Sequence, residues 1–256
     1  MPPLPTLVPT IFGSWAGYAV ACLVLAFAQA VYVLFGFGSG LIALGLLALV
    51  FPSVQDVVVV ILLTALPAEI FVAWTSRRQI AWRQVALIGA GVVAGVPVGT
   101  WILRAGRADF LIVLLGAFLI VTGAAFLALP AHWRVRWPRW TAPPVGLLGG
   151  VLSGMFGTGG PPVIIWYRLA GADKAAFRGN LMAIWMLVSL TRLPSYGVAG
   201  LLTTPRLWSG LAVLPAVLLG GWLGHRIHLE IAERTFQRAV AVALAVIGAL
   251  LLLRRT

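Results

Sequence analysis

The sequence predicts an all-α membrane protein built from two inverted repeats of about five hydrophobic segments each, broken into half-helices at two glycine motifs. Three observations carry this prediction. Hydrophobic residues fill 61% of the 256 positions and charged residues only 9%, against about 25% charge in a soluble domain. Ten apolar runs follow one another along the chain. Short motifs recur in the same order in its two halves. The solvent that suits such a chain is the bilayer, where backbone polar groups must be satisfied internally by helices or a closed barrel. Barrel strands would alternate apolar and polar residues, whereas 57–73 and 110–128 are apolar on all sides, which predicts helices.

In order, the apolar runs are 11–35, 38–51, 57–75, 84–103, 108–129, 143–156, 160–170, 177–200, 207–225 and 236–254. A full crossing needs about 20 residues, so 38–51, 143–156 and 160–170 are short and predict half-helices joined at glycine-rich breaks. The stretch 1–10 carries four prolines and no Lys or Arg. It lacks the basic start of a signal peptide, so the first span is expected to be retained. Pro138, Pro143 and Pro144, with the basic and Trp-rich stretch 132–140, mark the boundary between halves. The expected organisation is a first repeat over 1–130, a cytoplasmic linker over 131–142 and a second repeat over 143–256.

The repeat rests on three matches. Phe37-Gly38-Ser39-Gly40 matches Phe156-Gly157-Thr158-Gly159 at an offset of 119 residues. Thr64-Ala65-Leu66-Pro67 matches Thr191-Arg192-Leu193-Pro194 at an offset of 127. Gly91, Gly95 and Gly99 match Ala216, Gly220 and Gly224 at an offset of 125. The offset drifts only by loop-sized amounts.

Charge sets the orientation. The net charge is +12, from 18 basic and 6 acidic residues, and most of the basic ones lie in connections between apolar runs. Topology and lipid headgroups account for them there. No basic face or recognition module stands apart from the spans, which argues against nucleic acid as a partner. If the first two segments of each half enter and leave on one side, the halves are inverted. One side then collects twelve basic residues (Arg77, Arg78, Arg83, Arg134, Arg136, Arg139, Arg168, Lys174, Arg178, Arg226, Arg234, Arg238) and the other five (Arg104, Arg107, Arg206, Arg254, Arg255). If that pair crosses as one broken helix, the division is nine against eight. Cytoplasmic loops are enriched in Lys and Arg, so the inverted arrangement is favoured, with both termini periplasmic. Inverted repeats with broken helices are a common plan of secondary transporters.

The glycine motifs carry a resemblance. Gly36-Phe37-Gly38-Ser39-Gly40-Leu41-Ile42-Ala43 and Gly150-Val151-Leu152-Ser153-Gly154-Met155-Phe156-Gly157-Thr158-Gly159-Gly160 resemble the paired signatures of the TauE/SafE sulfite exporter family. Through the duplicated layout the resemblance covers nearly the whole chain. It implies a bacterial inner-membrane transporter of sulfite, sulfonates such as sulfoacetate, or related organosulfur acids. Two features depart from it: Pro161-Pro162 closes the second motif, and Arg192 sits in the following helix. Both point to a different or larger anion than sulfite.

The residues themselves point to a small anion. A short helix is expected to begin at about Leu41 and at about Pro161, since proline suits a helix's first turn. A helix start at membrane depth offers free N–H groups and a partial positive charge. Gly38, Gly40, Gly157, Gly159 and Gly160 allow close backbone approach, and Ser39 and Thr158 offer hydroxyl donors at matching positions. Close helix packing is the alternative role for these glycines, and it is the expected role of Gly91, Gly95 and Gly99. Arg192, inside an apolar run, needs a partner or a wet cavity; its guanidinium fits a sulfonate or carboxylate in bidentate fashion. An ion pair or snorkelling would also satisfy it. Glu69 is the acid inside a span, placed to carry a coupling proton, to pair with Arg192, or to sit near water at a helix end. Asn180 is a further substrate-binding candidate, and Ser189, Thr64 and Gln29 are further polar candidates for the cavity; each can equally join helices. Trp15, Trp74, Trp82, Trp101, Trp133, Trp137, Trp140 and Trp208 flank spans as an interfacial belt; this is the default also for Trp166 and Tyr167, whose alternative place after the second break is the lining of the cavity.

Rival classes fare worse. Cys22 stands alone, so neither an intramolecular disulfide nor a thiolate metal site is expected. His132, His225 and His228 fall in or beside basic connections, HExxH is absent, and Ser39 lacks a GxSxG frame, so no enzyme is expected. No GxxxxGK[ST] occurs, which leaves secondary transport with a proton or sodium ion as coupling ion and no cofactor. An anion channel or a carrier of small carboxylates would use the same chemistry. Oligomeric state is not legible.

Overall fold

A computed structural model of the chain describes residues 9–35, 39–75, 77, 80–128, 138–170, 174–226 and 233–254. The described residues are helical and contain no strand. The helices are α1 (Trp15–Phe35), α2 (Ser39–Val50), α3 (Val54–Thr75), α4 (Trp82–Ala105), α5 (Ala108–Ala128), α6 (Ala142–Phe156), α7 (Gly160–Leu169), α8 (Lys174–Val198), α9 (Thr204–Arg226) and α10 (Glu233–Leu253), with a short 3-10 turn at Arg139–Thr141 before α6. Each of the ten apolar runs is one helix. Among the described residues, five helices are long and apolar enough to cross a membrane. By contrast α2, α6 and α7 have 12, 15 and 10 residues. At 1.5 Å per residue each falls well short of a hydrocarbon core of about 30 Å. Pro67, Pro97, Pro194 and Pro215 lie inside helices, as membrane helices tolerate.

The chain forms two compact units. The first comprises residues 1–64, 106–129 and 202–256, and the second 65–105 and 130–201. Each therefore takes helices from both halves of the sequence.

In the second unit α4 and α6 lie backbone against backbone. A methyl group on Gly91, Gly95 or Gly99 would overlap the carbonyl of Pro143, Leu147 or Val151, and one on Gly146 or Gly154 that of Ile88 or Val96. The rising order on both helices makes them parallel. This is the packing expected of a four-residue glycine spacing. Lipid tails are as apolar as side chains, so close van der Waals contact has to hold the helices together. Helix α8 also runs parallel to α4: Asn180 bonds Ala81 and Gln84 near the two starts, and Leu187 meets Gly89. With α6 and α8 both starting at the start of α4, the α6–α7 pair leaves and returns at one end.

The first unit repeats this arrangement with other residues. Helix α9 lies parallel to α1, with Gly220 against Ala26 and Gly224 against Ala30. The Tyr18 hydroxyl donates to the Ala212 carbonyl at 2.8 Å and the Ile11 N–H to Ser209 Oγ at 2.9 Å. Helix α3 starts beside the start of α9, where Arg206 Nε meets Asp56 Oδ1 at 2.7 Å and Leu63 meets Gly210. The α1–α2 pair thus also returns to its own end, and Phe12 and Phe51 meet there with ring centroids 5.9 Å apart. Antiparallel α5 and α10 complete the unit, Gly116 facing Gly248 and Gly123 facing Ala241.

Trp15, Trp74, Trp82, Trp101, Trp140 and Trp208 are exposed, as a belt requires; Trp133 and Trp137 lie outside the described residues. The belt expectation fails for Trp166 and Tyr167. Both are buried, and Trp166 Nε1 donates to Thr141 Oγ1 at 3.0 Å. Their helix is a short internal one, so its aromatic end packs inward.

Candidate functional site

The second glycine break holds the strongest concentration of buried polar chemistry in the second unit. Helix α6 ends where Gly157 takes a left-handed conformation, φ 72° and ψ 3°, and its N–H bonds the Ser153 carbonyl at 2.8 Å. Glycine reaches that conformation without a Cβ clash. Two residues later the Gly159 N–H donates to Ser153 Oγ at 2.9 Å, and α7 begins at Gly160.

Helix α8 brings Arg192 to this turn. Its guanidinium is buried, with 2% of the residue exposed, and Nη2 lies 2.8 Å from where a Gly157 side chain would begin. The Tyr196 hydroxyl accepts from Arg192 Nη2 at 3.0 Å and Nε at 3.3 Å, and donates to the Gly154 carbonyl at 2.8 Å. The break, the cation and the tyrosine form one hydrogen-bonded cluster. Glu69, on the second half of α3, meets the Ser189 hydroxyl and lies in the field of Arg192. Its Oε2 is buried with no hydrogen-bond partner among the described residues.

The helix-start expectation needs correction at α7. The first turn contains Pro161 and Pro162, which have no N–H to offer, and the Gly159 N–H is already bonded to Ser153. The same prolines that favour a helix start remove donors from it. Positive charge at the break comes chiefly from Arg192, with Gly160 N–H and the Thr158 hydroxyl as further donors. Thr158 is half-buried and bonds no described residue.

Other candidates fall elsewhere. Asn180 is fully buried, but its amide accepts from Ala81 N–H at 2.7 Å and donates to Gln84 Oε1 at 3.3 Å. Twelve helical residues separate it from Arg192, about 18 Å along the axis, so it joins α4 to α8 away from the cluster. Thr64 bonds carbonyls of its own helix. In the first half, Gly38 and the Ser39 side chain lie outside the described residues; Gly40 is half-buried in α2. Among the described residues no group of three or more His, Cys, Asp or Glu could hold a metal ion.

Sequence reasoning missed two members of the cluster. Tyr196 follows Arg192 by four residues, the spacing that places two side chains on one helix face. Ser153 stood inside the second motif without a role, and it caps the break.

Comparison with known proteins matches this sequence to one family. A probable sulfite/organosulfonate exporter TauE from Cupriavidus necator is 29% identical over 222 residues, 85% of this chain and 87% of that protein. A probable inner membrane transporter protein TsaS from Comamonas testosteroni is 26% identical over 189 residues, 73% of this chain and 79% of that protein. No solved structure matches. The family model for the sulfite exporter TauE/SafE covers residues 20–251, both glycine motifs and Arg192 included, and the chain belongs to that family.

Proposed function

We propose that the chain is a secondary transporter that moves a small sulfur oxyanion, sulfite or an organosulfonate such as sulfoacetate, across the inner membrane, with Arg192 as the anion-binding group. One observation carries this reading: a buried guanidinium pressed against the left-handed turn of the second break. A basic residue in a span costs at least about 2.5 kcal/mol, which an anionic ligand offsets. The planar guanidinium matches two oxygens of a sulfonate or sulfite. Thr158 and the Gly160 N–H complete the shell on this side, and Gly159, its own N–H held by Ser153, lets the backbone come close. Gly38, Ser39 and Gly40 have the matching role in the first half. The similarity to a probable sulfite/organosulfonate exporter supports a sulfur anion.

Glu69 carries the coupling proton in this reading. An anion arriving at Arg192 repels a second negative charge beside it, so anion and proton are taken up together, and by linkage each favours the other. The two end-returning helix pairs support the inverted arrangement with periplasmic termini. Each repeat then contributes one re-entrant pair, and alternating access moves the packed helices around the breaks.

The test is counterflow in proteoliposomes loaded with unlabelled sulfite or sulfoacetate, with radiolabelled anion outside. A carrier transiently concentrates label, and Arg192→Gln abolishes this while remaining folded. Conductive flux without counterflow would make the protein a channel. Undiminished counterflow in Arg192→Gln would remove Arg192 from the site.

A further inference from the structure

A cleft of about 410 Å³ opens in the second unit between the ends of α4 and α8, within the ~300–1,000 Å³ range of ligand sites. Pro97, Thr100 and Trp101 line one wall and Pro194 and Val198 the other, with Arg104 at the mouth. We propose that it binds one anionic phospholipid, the phosphate on Arg104 and an acyl chain along the apolar walls.

Four observations support this occupant. The lining is apolar apart from a few groups and contains no acid. Arg104 is exposed and makes no ion pair or hydrogen bond among the described residues. Its charge is therefore available to a ligand. Trp101 and Val198 remain 67% and 88% exposed beside it. An exposed indole next to a cation suits headgroup depth, where tryptophan and arginine anchor to lipid. The Thr100 hydroxyl on the inner wall is buried without a partner among the described residues, and an ester carbonyl settling there gives it an acceptor. A small hydrated anion would need several donors at once, and the cleft offers one cation on apolar walls. An amphipathic anion satisfies both parts.

The test is native mass spectrometry of the full chain, purified in detergent and titrated with phosphatidylglycerol or phosphatidylcholine of identical chains. Wild type is expected to retain one phosphatidylglycerol selectively. Arg104→Gln is expected to lower that occupancy about fivefold, the contribution of one cation to anionic lipid, and Arg104→Lys to keep it. Val198→Asp, which leaves Arg104 in place, is expected to weaken retention by placing charge on the chain's path. Equal retention of the two lipids, or undiminished retention in Arg104→Gln, overturns the proposal. So does displacement of the lipid by millimolar sulfite or glycerol phosphate, which would make the cleft a site for a free anion.

Discussion

Arg192 and Tyr196 hold each other one helical turn apart. The Tyr196 hydroxyl accepts from two nitrogens of the guanidinium, at 3.0 and 3.3 Å, and donates its own hydrogen bond to the Gly154 carbonyl at 2.8 Å. The cation is thereby tied to α6 through a tyrosine of α8. Removing the hydroxyl leaves the charge but not its aim. Tyr196→Phe is expected to fold and to raise the apparent KM for the anion about tenfold or more, the range of one hydrogen bond to a charged group. Measured kcat should change less than KM. An unchanged KM would show that the tyrosine serves packing alone.

Gly157 is constrained twice. Its φ of 72° disfavours any side chain, at about 1–2 kcal/mol, and a Cβ there would press on Arg192 Nη2. Gly157→Ala should lower the melting temperature and weaken anion binding together. Gly200 has a similar φ of 70°, yet no atom lies within 4 Å of a Cβ built on it. Gly200→Ala should therefore show the stability loss alone. Comparing the two by thermal shift with and without anion separates strain from displacement of the guanidinium.

The Glu69 carboxyl beside Ser189 gives a prediction about coupling. Glu69→Gln keeps the shape and removes the exchangeable proton. Anion counterflow should persist in this variant, while uptake driven by an imposed pH gradient should fall to the level of empty liposomes. Retention of gradient-driven uptake would assign coupling to another group or ion.

How much of this was legible in the sequence follows from the physics of each feature. The ten α-helices of the described residues were readable, because in a membrane apolar length alone sets where a helix lies. The glycine stripe of Gly91, Gly95 and Gly99 was readable because a four-residue spacing has one geometric meaning on a helix. Its partner was not: the stripe packs on α6, across the boundary between halves, and spacing within one helix says nothing about the neighbour. The site was half legible. Arg192 stood out because charge inside a span is expensive. The loss of N–H donors at Pro161 and Pro162 was present in the sequence, and it conflicts with using the same helix start as an anion cradle. Asn180 looked like a ligand because a buried amide needs partners, and only the fold shows that Ala81 and Gln84 supply them.

The α4–α6 contact should respond steeply to size. Overpacking typically costs about 1–3 kcal/mol, and here the obstacle is backbone, which cannot rotate away. Gly95→Ala should already lower the melting temperature, and Gly95→Leu should prevent recovery of folded protein. Gly221 is a control, since a Cβ there meets only the Gln29 and Val33 side chains at 3.5 Å and beyond. Gly221→Ala should leave the melting temperature nearly unchanged. Size-exclusion profiles and thermal unfolding in detergent measure all three.

Orientation is tested by labelling. Arg83 is exposed at the start of α4 and Gly200 just beyond the end of α8, and the two helices are parallel, so these residues occupy opposite ends of the second unit. The arginine-rich end should face the cytoplasm. Cys22 is the sole native cysteine, and Cys22→Ala gives a clean background. In spheroplasts, Gly200→Cys should react with a membrane-impermeant maleimide, and Arg83→Cys only after permeabilisation. The reverse pattern would turn the second unit over and place its arginine-rich end in the periplasm. Labelling of both from one side would contradict the parallel course of α4 and α8 itself, and with it the return of the α6–α7 pair to its own end.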